Sequence, residues 1–144
     1  EKYLKAAHPE LPPQCFVQYG NFIGETLEKL ASANIPHIIM GIMLGKAVKL
    51  AEGNMDTHSK KVTMNKQFLH DIATQLACTD ATHEVIERIT LARELWTELA
   101  PSESEKLLMY ITQTCHKVSQ KICPNSKLTV LLIDDEGNIR YSAQ

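Results

Sequence analysis

Residues 36–44 read PHIIMGIML, an apolar run behind a proline. The run is too short for an ordinary helix and rich in branched side chains, so it predicts a buried strand. Upstream, QCFVQYG at 14–20 is compatible with a second buried strand, set off from the opening EKYLKAAHPELPP by Pro9, Pro12 and Pro13. Between them Asn21 is a candidate N-cap, Ile23, Leu27, Leu30 and Ala31 share one helical face, and Asn34 closes the segment. Strand, helix and strand within about thirty residues predict a parallel pair with a right-handed crossover.

Downstream, Gly45 to Ala51 predicts a short helix stopped at Gly53. Apolar residues at 64, 68, 69, 72, 73 and 76 form a helical stripe from Met64 to Leu76. A further helix is expected from Asp80 to Leu99, with Val85, Ile86, Ile89, Trp96 and Leu99 turned inward. In the next, Ser102 and Glu105 make a candidate capping box ahead of Leu108, Ile111, Cys115, Val118 and Ile122. The end of the chain predicts a strand at Leu128–Ile133, a turn at Asp135–Asn138 using Gly137, and a short returning strand. The expected fold is α/β: a small βαβ-containing sheet with a helical insertion and a C-terminal β-hairpin. Residues 1–144 make one domain of ordinary size. Glu1 in place of Met, and an opening that reads as mid-helix, suggest a piece of a longer protein.

The 44% hydrophobic and 22% charged content is that of a soluble globular chain, and few aromatics argue against a base-stacking platform. A formal net charge of -2 gives no overall pull toward nucleic acid or an anionic membrane. The charge is uneven: from Gly45 to Lys66 five lysines (Lys46, Lys49, Lys60, Lys61, Lys66) face only Glu52 and Asp56, whereas the remainder is acidic. A basic island in an acidic chain suits an anionic small molecule, although lysines also serve as a solvated loop. Cys15, Cys78, Cys115 and Cys123 lack CxxC spacing and sit among apolar neighbours, which predicts buried, reduced thiols and a cytoplasmic location. No secretory signal or bilayer-length apolar run is present in the sequence.

In open α/β sheets ligands bind beyond the carboxyl ends of strands, which singles out QYGNFIG and MGIMLGK. Gly20, Gly24, Gly41 and Gly45 would let backbone approach a ligand, and helix-start N–H groups would favour an anion. Neither loop is a P-loop or a GxGxxG fingerprint, and glycines also serve plain turns and close packing. Lys46 and Lys49 lie three apart on one helical face and could reach one anionic group. Asp56, Thr57, His58 and Ser59 then place a carboxylate, two hydroxyls and an imidazole in succession. No GxSxG supports a serine hydrolase, and zinc would need ligands beyond the isolated His70 and His83. Thr57 or Ser59 could equally cap a helix. The remaining histidines read as surface or core residues.

VQYGNFIG, then an apolar strand, then GKAVKLAEGNMDTHS resembles the carboxyl-terminal half of the cobalt-precorrin-5B (C1)-methyltransferase family of anaerobic cobalamin biosynthesis. Gln18, Gly20, Asn21, Phe22 and Gly24 match the first block of that family's pattern. Gly45, Lys46, Lys49, Leu50, Ala51, Gly53, Thr57, His58 and Ser59 match the second. Many members carry Gly-His before the Gly-Lys pair, where this chain has Ile42-Met43. The resemblance implies methyl transfer from S-adenosylmethionine to C1 of an anionic corrin precursor, with an amino-terminal half of the enzyme as partner; the residues themselves offer no metal-ligand spacing. On that reading Gly20, Asn21, Gly24, Gly41 and Gly45 hold the cofactor. Lys46, Lys49, Asp56, Thr57 and Ser59 hold the substrate, and His58 takes the proton that the reacting carbon loses. A homo-oligomer is compatible with this. The competing expectation is a non-catalytic ligand-binding or assembly module.

Overall fold

The computed structural model describes residues 1–58 and 64–144. Its elements in chain order are α1 (Lys2–Ala7), α2 (Ile23–Ser32), β1 (His37–Met43), α3 (Leu44–Ala51), α4 (Lys66–Gln75), α5 (Asp80–Arg88), α6 (Leu95–Glu98), α7 (Pro101–Gln120), β2 (Lys127–Ile133) and β3 (Ile139–Ala143). The sheet order is β1-β2-β3, with β1 and β2 parallel in register His37↔Lys127 through Met43↔Ile133, and β3 antiparallel to β2. The expected fold class is therefore present: α3 to α7 form the insertion between two parallel strands, and β2 and β3 are the terminal hairpin.

Alternation makes one face of the sheet. Ile38, Met40 and Ile42 of β1 and Leu128, Val130 and Leu132 of β2 are all buried, and so join one core. Ala47, Val48 and Leu50 of α3 and Leu107, Leu108, Ile111 and Cys115 of α7 pack into the same core. Each branched side chain so buried contributes about 1.5–3 kcal/mol. The Cys115 thiol donates to the Ala47 carbonyl at 3.1 Å, which fixes α7 against α3, and burial pushes that thiol up to about 12. All four cysteines are free, and Cys115 and Cys123 are buried as expected, whereas Cys15 is exposed.

Three helices stop in the same way. At α2, α3 and α4 a residue with positive φ (Asn34 at 55°, Gly53 at 102°, Ala77 at 53°) reverses the chain. The next amide returns to the helix: Ile35 to Leu30, Asn54 to Lys49, and Cys78 to Ala73. At the start of α4 the Asn65 side chain accepts from Phe68 N–H at 3.2 Å.

Four local expectations are corrected. Residues 14–20 are not a strand: Pro13–Cys15 is a 3-10 turn, and the extended residues after it leave Val17 54% exposed. The proline-bent entry delivers this segment without ladder pairing, and β1 takes β2 as its parallel partner instead. Asn21 does not cap α2. Phe22 stands at that position without a side-chain cap, while the Asn21 carbonyl accepts from Thr57 N–H at 3.1 Å. The helix expected over 80–99 breaks after Arg88, because Ile89 is extended and the Glu94 carboxylate gathers the amides of Thr90 and Leu91 at 2.9 and 2.6 Å. Finally, α7 starts on Pro101 with no side-chain cap, so Ser102 and Glu105 make no capping box.

Candidate functional site

Helix α3 begins at the carboxyl end of β1, and two neighbouring segments close around it. Phe22 and Asp56 form an isolated antiparallel bridge, Thr57 N–H reaches Asn21, and Gly24 N–H donates to Met55 at 3.2 Å. The loop after α3 is thereby laced to the start of α2. From α3, Lys46 donates to the Gly20 carbonyl and lies 5.4 Å over the Tyr19 ring. Lys49, one turn on, donates to the Thr57 carbonyl at 3.5 Å. Both contacts fall on carbonyl oxygens, which orient an ammonium without cancelling its charge.

Partial burial, and then the nearby Lys49 charge, hold the Lys46 ammonium below the usual lysine range. The Asp56 carboxylate accepts from the backbone N–H of His58 at 3.1 Å, closing a local turn. His58 is half-buried, whereas Thr57 is only 2% exposed and its buried hydroxyl has no hydrogen-bond partner among the described residues.

The structure thus brings Gly20, Asn21, Lys46, Lys49, Asp56, Thr57 and His58 into one neighbourhood around α3. Thr57 turns its hydroxyl inward and lends the site its backbone carbonyl. Ser59, with Lys60 and Lys61 of the basic island, lies outside the described residues. The four glycines divide. Among the described residues, and apart from the adjoining backbone, no heavy atom lies within 4 Å of where a Cβ would sit at Gly20 or Gly45, which leaves open space beside both. Gly24 and Gly41 depart from the expected loop role. A Cβ at Gly24 would meet Met55 Cβ at 2.7 Å, and one at Gly41, inside β1, would meet Ile133 at 2.9 Å and Leu4 at 3.1 Å. Protein atoms already fill both positions, so these two glycines serve packing.

Two features escape a reading of the sequence. Tyr19 donates its hydroxyl to the Gly41 carbonyl at 2.9 Å while its ring underlies Lys46, and burial pushes its phenol up to about 12. Elsewhere in the helical insertion, His70 of α4 and His83 of α5 face each other Nδ1 to Nδ1 at 2.8 Å. His70 Nε2 lies 2.6 Å from Glu87 Oε1. These residues, with Glu84 and Arg88, line an open cavity of about 430 Å3. The spacing of His83 and Glu87, four apart on one helix, was the signal available; nothing local joins them to His70. Among the described residues no three His, Cys, Asp or Glu side chains are placed to hold a metal ion. Likewise no helix among them is long and apolar enough to cross a membrane.

The family model described as "CbiD, C-terminal domain" matches residues 56–144. The chain belongs to that family. Curated relatives extend the likeness through the first block of motifs. A protein named cobalt-precorrin-5B C(1)-methyltransferase from Prosthecochloris aestuarii is 30% identical over 134 residues, which is 92% of this chain and 36% of the relative. One of the same name from Methylococcus capsulatus is 27% identical over 143 residues, covering 96% of this chain and 37% of its own length. A third, from Dechloromonas aromatica, is 29% identical over 147 residues, 95% of this chain and 35% of the relative. The chain therefore spans a little over one third of the length of these three relatives. No solved structure matches it.

Proposed function

We propose that this member of the CbiD C-terminal domain family is the carboxyl-terminal domain of an S-adenosylmethionine-dependent methyltransferase acting on C1 of cobalt-precorrin-5B. It works with an amino-terminal part such as its relatives carry, in the cytoplasm. The observation that carries the reading is the lacing of the Asp56–His58 turn onto the lysine-bearing face of α3, through Lys49 and the Thr57 carbonyl. It draws the two ends of the second motif block together, and the bonds from Thr57 N–H to the Asn21 carbonyl and from Lys46 to the Gly20 carbonyl tie the first block to them.

The chemistry asks for little more than positioning. A corrin precursor is fringed with carboxylates, and Lys46 and Lys49 supply two cations one helical turn apart to orient them. Each can leave a neutral carbonyl for a carboxylate and gain a charge-assisted hydrogen bond. When bound, S-adenosylmethionine supplies an electrophilic methyl group on a sulfonium sulfur. Gly20 and Gly45, with open space beside the backbone, and the Asn21 main chain fit a cofactor that must lie close. Gly24 and Gly41 do not, being filled by Met55 and by Leu4 with Ile133. Holding the ring carbon and the methyl in line is worth more than any added group. His58, held by its turn and half-buried, accepts at an imidazole nitrogen the proton lost by the reacting carbon. Ser59 belongs to the same motif and is assigned to the substrate in this reading.

The experiment is a titration of S-adenosylhomocysteine into this chain and into a chain that also carries the amino-terminal part. Binding confined to the longer chain supports a cofactor site shared between the parts. Binding to neither overturns the methyltransferase reading.

A further inference from the structure

The free edge of β1 is out of keeping with its sequence. Pro36's carbonyl accepts from Lys127 N–H at 2.8 Å, so the even-numbered backbone groups of β1 face β2. The odd-numbered groups, of His37, Ile39, Gly41 and Met43, face away, and nothing among the described strands pairs with them because β1 ends the sheet. On this side the Gly41 carbonyl accepts from the Tyr19 hydroxyl, and Met43 is the N-cap of α3, so the groups of Ile39 and the N–H of Gly41 are the ones left along the edge among the described residues. Ile39 is 40% and Met43 39% exposed along the same strand.

Exposed edges are normally blunted by lysine, proline, a bulge or a covering helix. The strand HIIMGIM has no lysine or proline, and the one register shift in the sheet lies between β2 and β3. A continuous apolar run in parallel pairing is the pattern of a strand buried on both faces, yet Ile39 and Met43 are left exposed on one of them. The relatives point to what covers it. This chain is 36% of the length of the Prosthecochloris aestuarii protein, and its family is described as a C-terminal domain, so the additional polypeptide precedes it there.

We propose that the outer edge of β1 is the seam at which a strand from the amino-terminal part of the enzyme joins this sheet. The added strand takes the N–H and C=O groups of Ile39 and the N–H of Gly41, and packs against Ile39 and Met43. This is main-chain recognition, with affinity from backbone hydrogen bonds and selectivity from alternate side chains. It rests on the reading that the chain is one domain of the longer methyltransferase.

The test compares backbone hydrogen exchange in this chain alone with exchange in a polypeptide carrying the amino-terminal part of the Prosthecochloris aestuarii relative ahead of all 144 residues. The amides of Ile39 and Gly41 are expected to slow by about tenfold or more in the longer polypeptide. Ile39→Lys should abolish that slowing while Leu128, Val130 and Leu132 exchange as before, which separates loss of the seam from loss of the fold. Unchanged exchange at Ile39 and Gly41 overturns the proposal. So does protection in the isolated chain that grows with its concentration, since the edge would then belong to a second copy. S-adenosylhomocysteine binding in the same samples keeps the two readings apart: binding with unprotected edge amides sinks the seam alone, and protected amides without binding sink the methyltransferase alone.

Discussion

Gly24 and Gly45 look alike in the sequence, each preceding a polar helical turn, yet a methyl group would meet opposite fates at them. At Gly24 it would press on Met55 Cβ at 2.7 Å, where both partners are close to backbone and neither can swing aside. Gly24→Ala should therefore lower stability by about 1–3 kcal/mol in denaturant melts. Gly45→Ala, with open space and a helical setting, should leave stability unchanged or raise it by about 0.5–1 kcal/mol. If Gly45 admits a ligand, the same variant weakens S-adenosylhomocysteine binding in the longer enzyme without touching the melt. Lys46 permits a test by pH. Burial and Lys49 depress its proton affinity, so its charge is present at low pH and is lost on the way up earlier than for an ordinary lysine. Affinity for a polycarboxylate should fall on the alkaline limb, and Lys46→Arg, which stays charged, should carry binding to higher pH.

At the scale of elements, the three matching helix stops show what a sequence can and cannot tell. Gly53 announced the end of α3, and Asn34 that of α2, because both residue types tolerate the left-handed region. Ala77 gave no such signal, although it closes α4 with the same pair of hydrogen bonds at φ 53°. Ala77→Gly should raise stability by about 1 kcal/mol, read as a shifted unfolding midpoint with unchanged slope. The strand expected at 14–20 failed for a related reason. Apolar pattern marks what can be buried, but its pairing depends on where Pro12 and Pro13 aim the chain and on β2, more than eighty residues away. The hairpin was legible because its turn is local. There Asp134 is buried, which alone would raise its pKa. Hydrogen bonds from the Asn138 and Glu136 amides, the Asn138 side chain and Arg140 outweigh this and hold the carboxyl below the usual range. A carboxyl so depressed stabilises the fold above its unfolded-state pKa, and this contribution is lost as pH falls through the folded value. Asp134→Asn should cost about 1–3 kcal/mol near neutrality and flatten the acid limb of the stability profile.

For the whole molecule, the arrangement is a small sheet that sets α3 at the carboxyl end of β1 and lets the long α7 clamp it from behind. Lys46 and Lys49 could be placed on one helix from their spacing alone, and the Asp56–His58 turn from its residue types. That the two meet depended on the bridge from Phe22 to Asp56, a pairing across more than thirty residues with no local mark. The Glu87–His70–His83 array was hidden for the same reason. The structure gathers Lys46, Lys49, His58 and the open backbone at Gly20 into one neighbourhood, and the Prosthecochloris aestuarii relative carries nearly twice as much further chain. The most direct measurement is single-turnover methylation of cobalt-precorrin-5B by the two-part enzyme containing this domain, with and without His58→Ala. The account predicts a fall in the methylation rate of about 100-fold or more with substrate affinity little changed. A variant that methylates at the normal rate would contradict it.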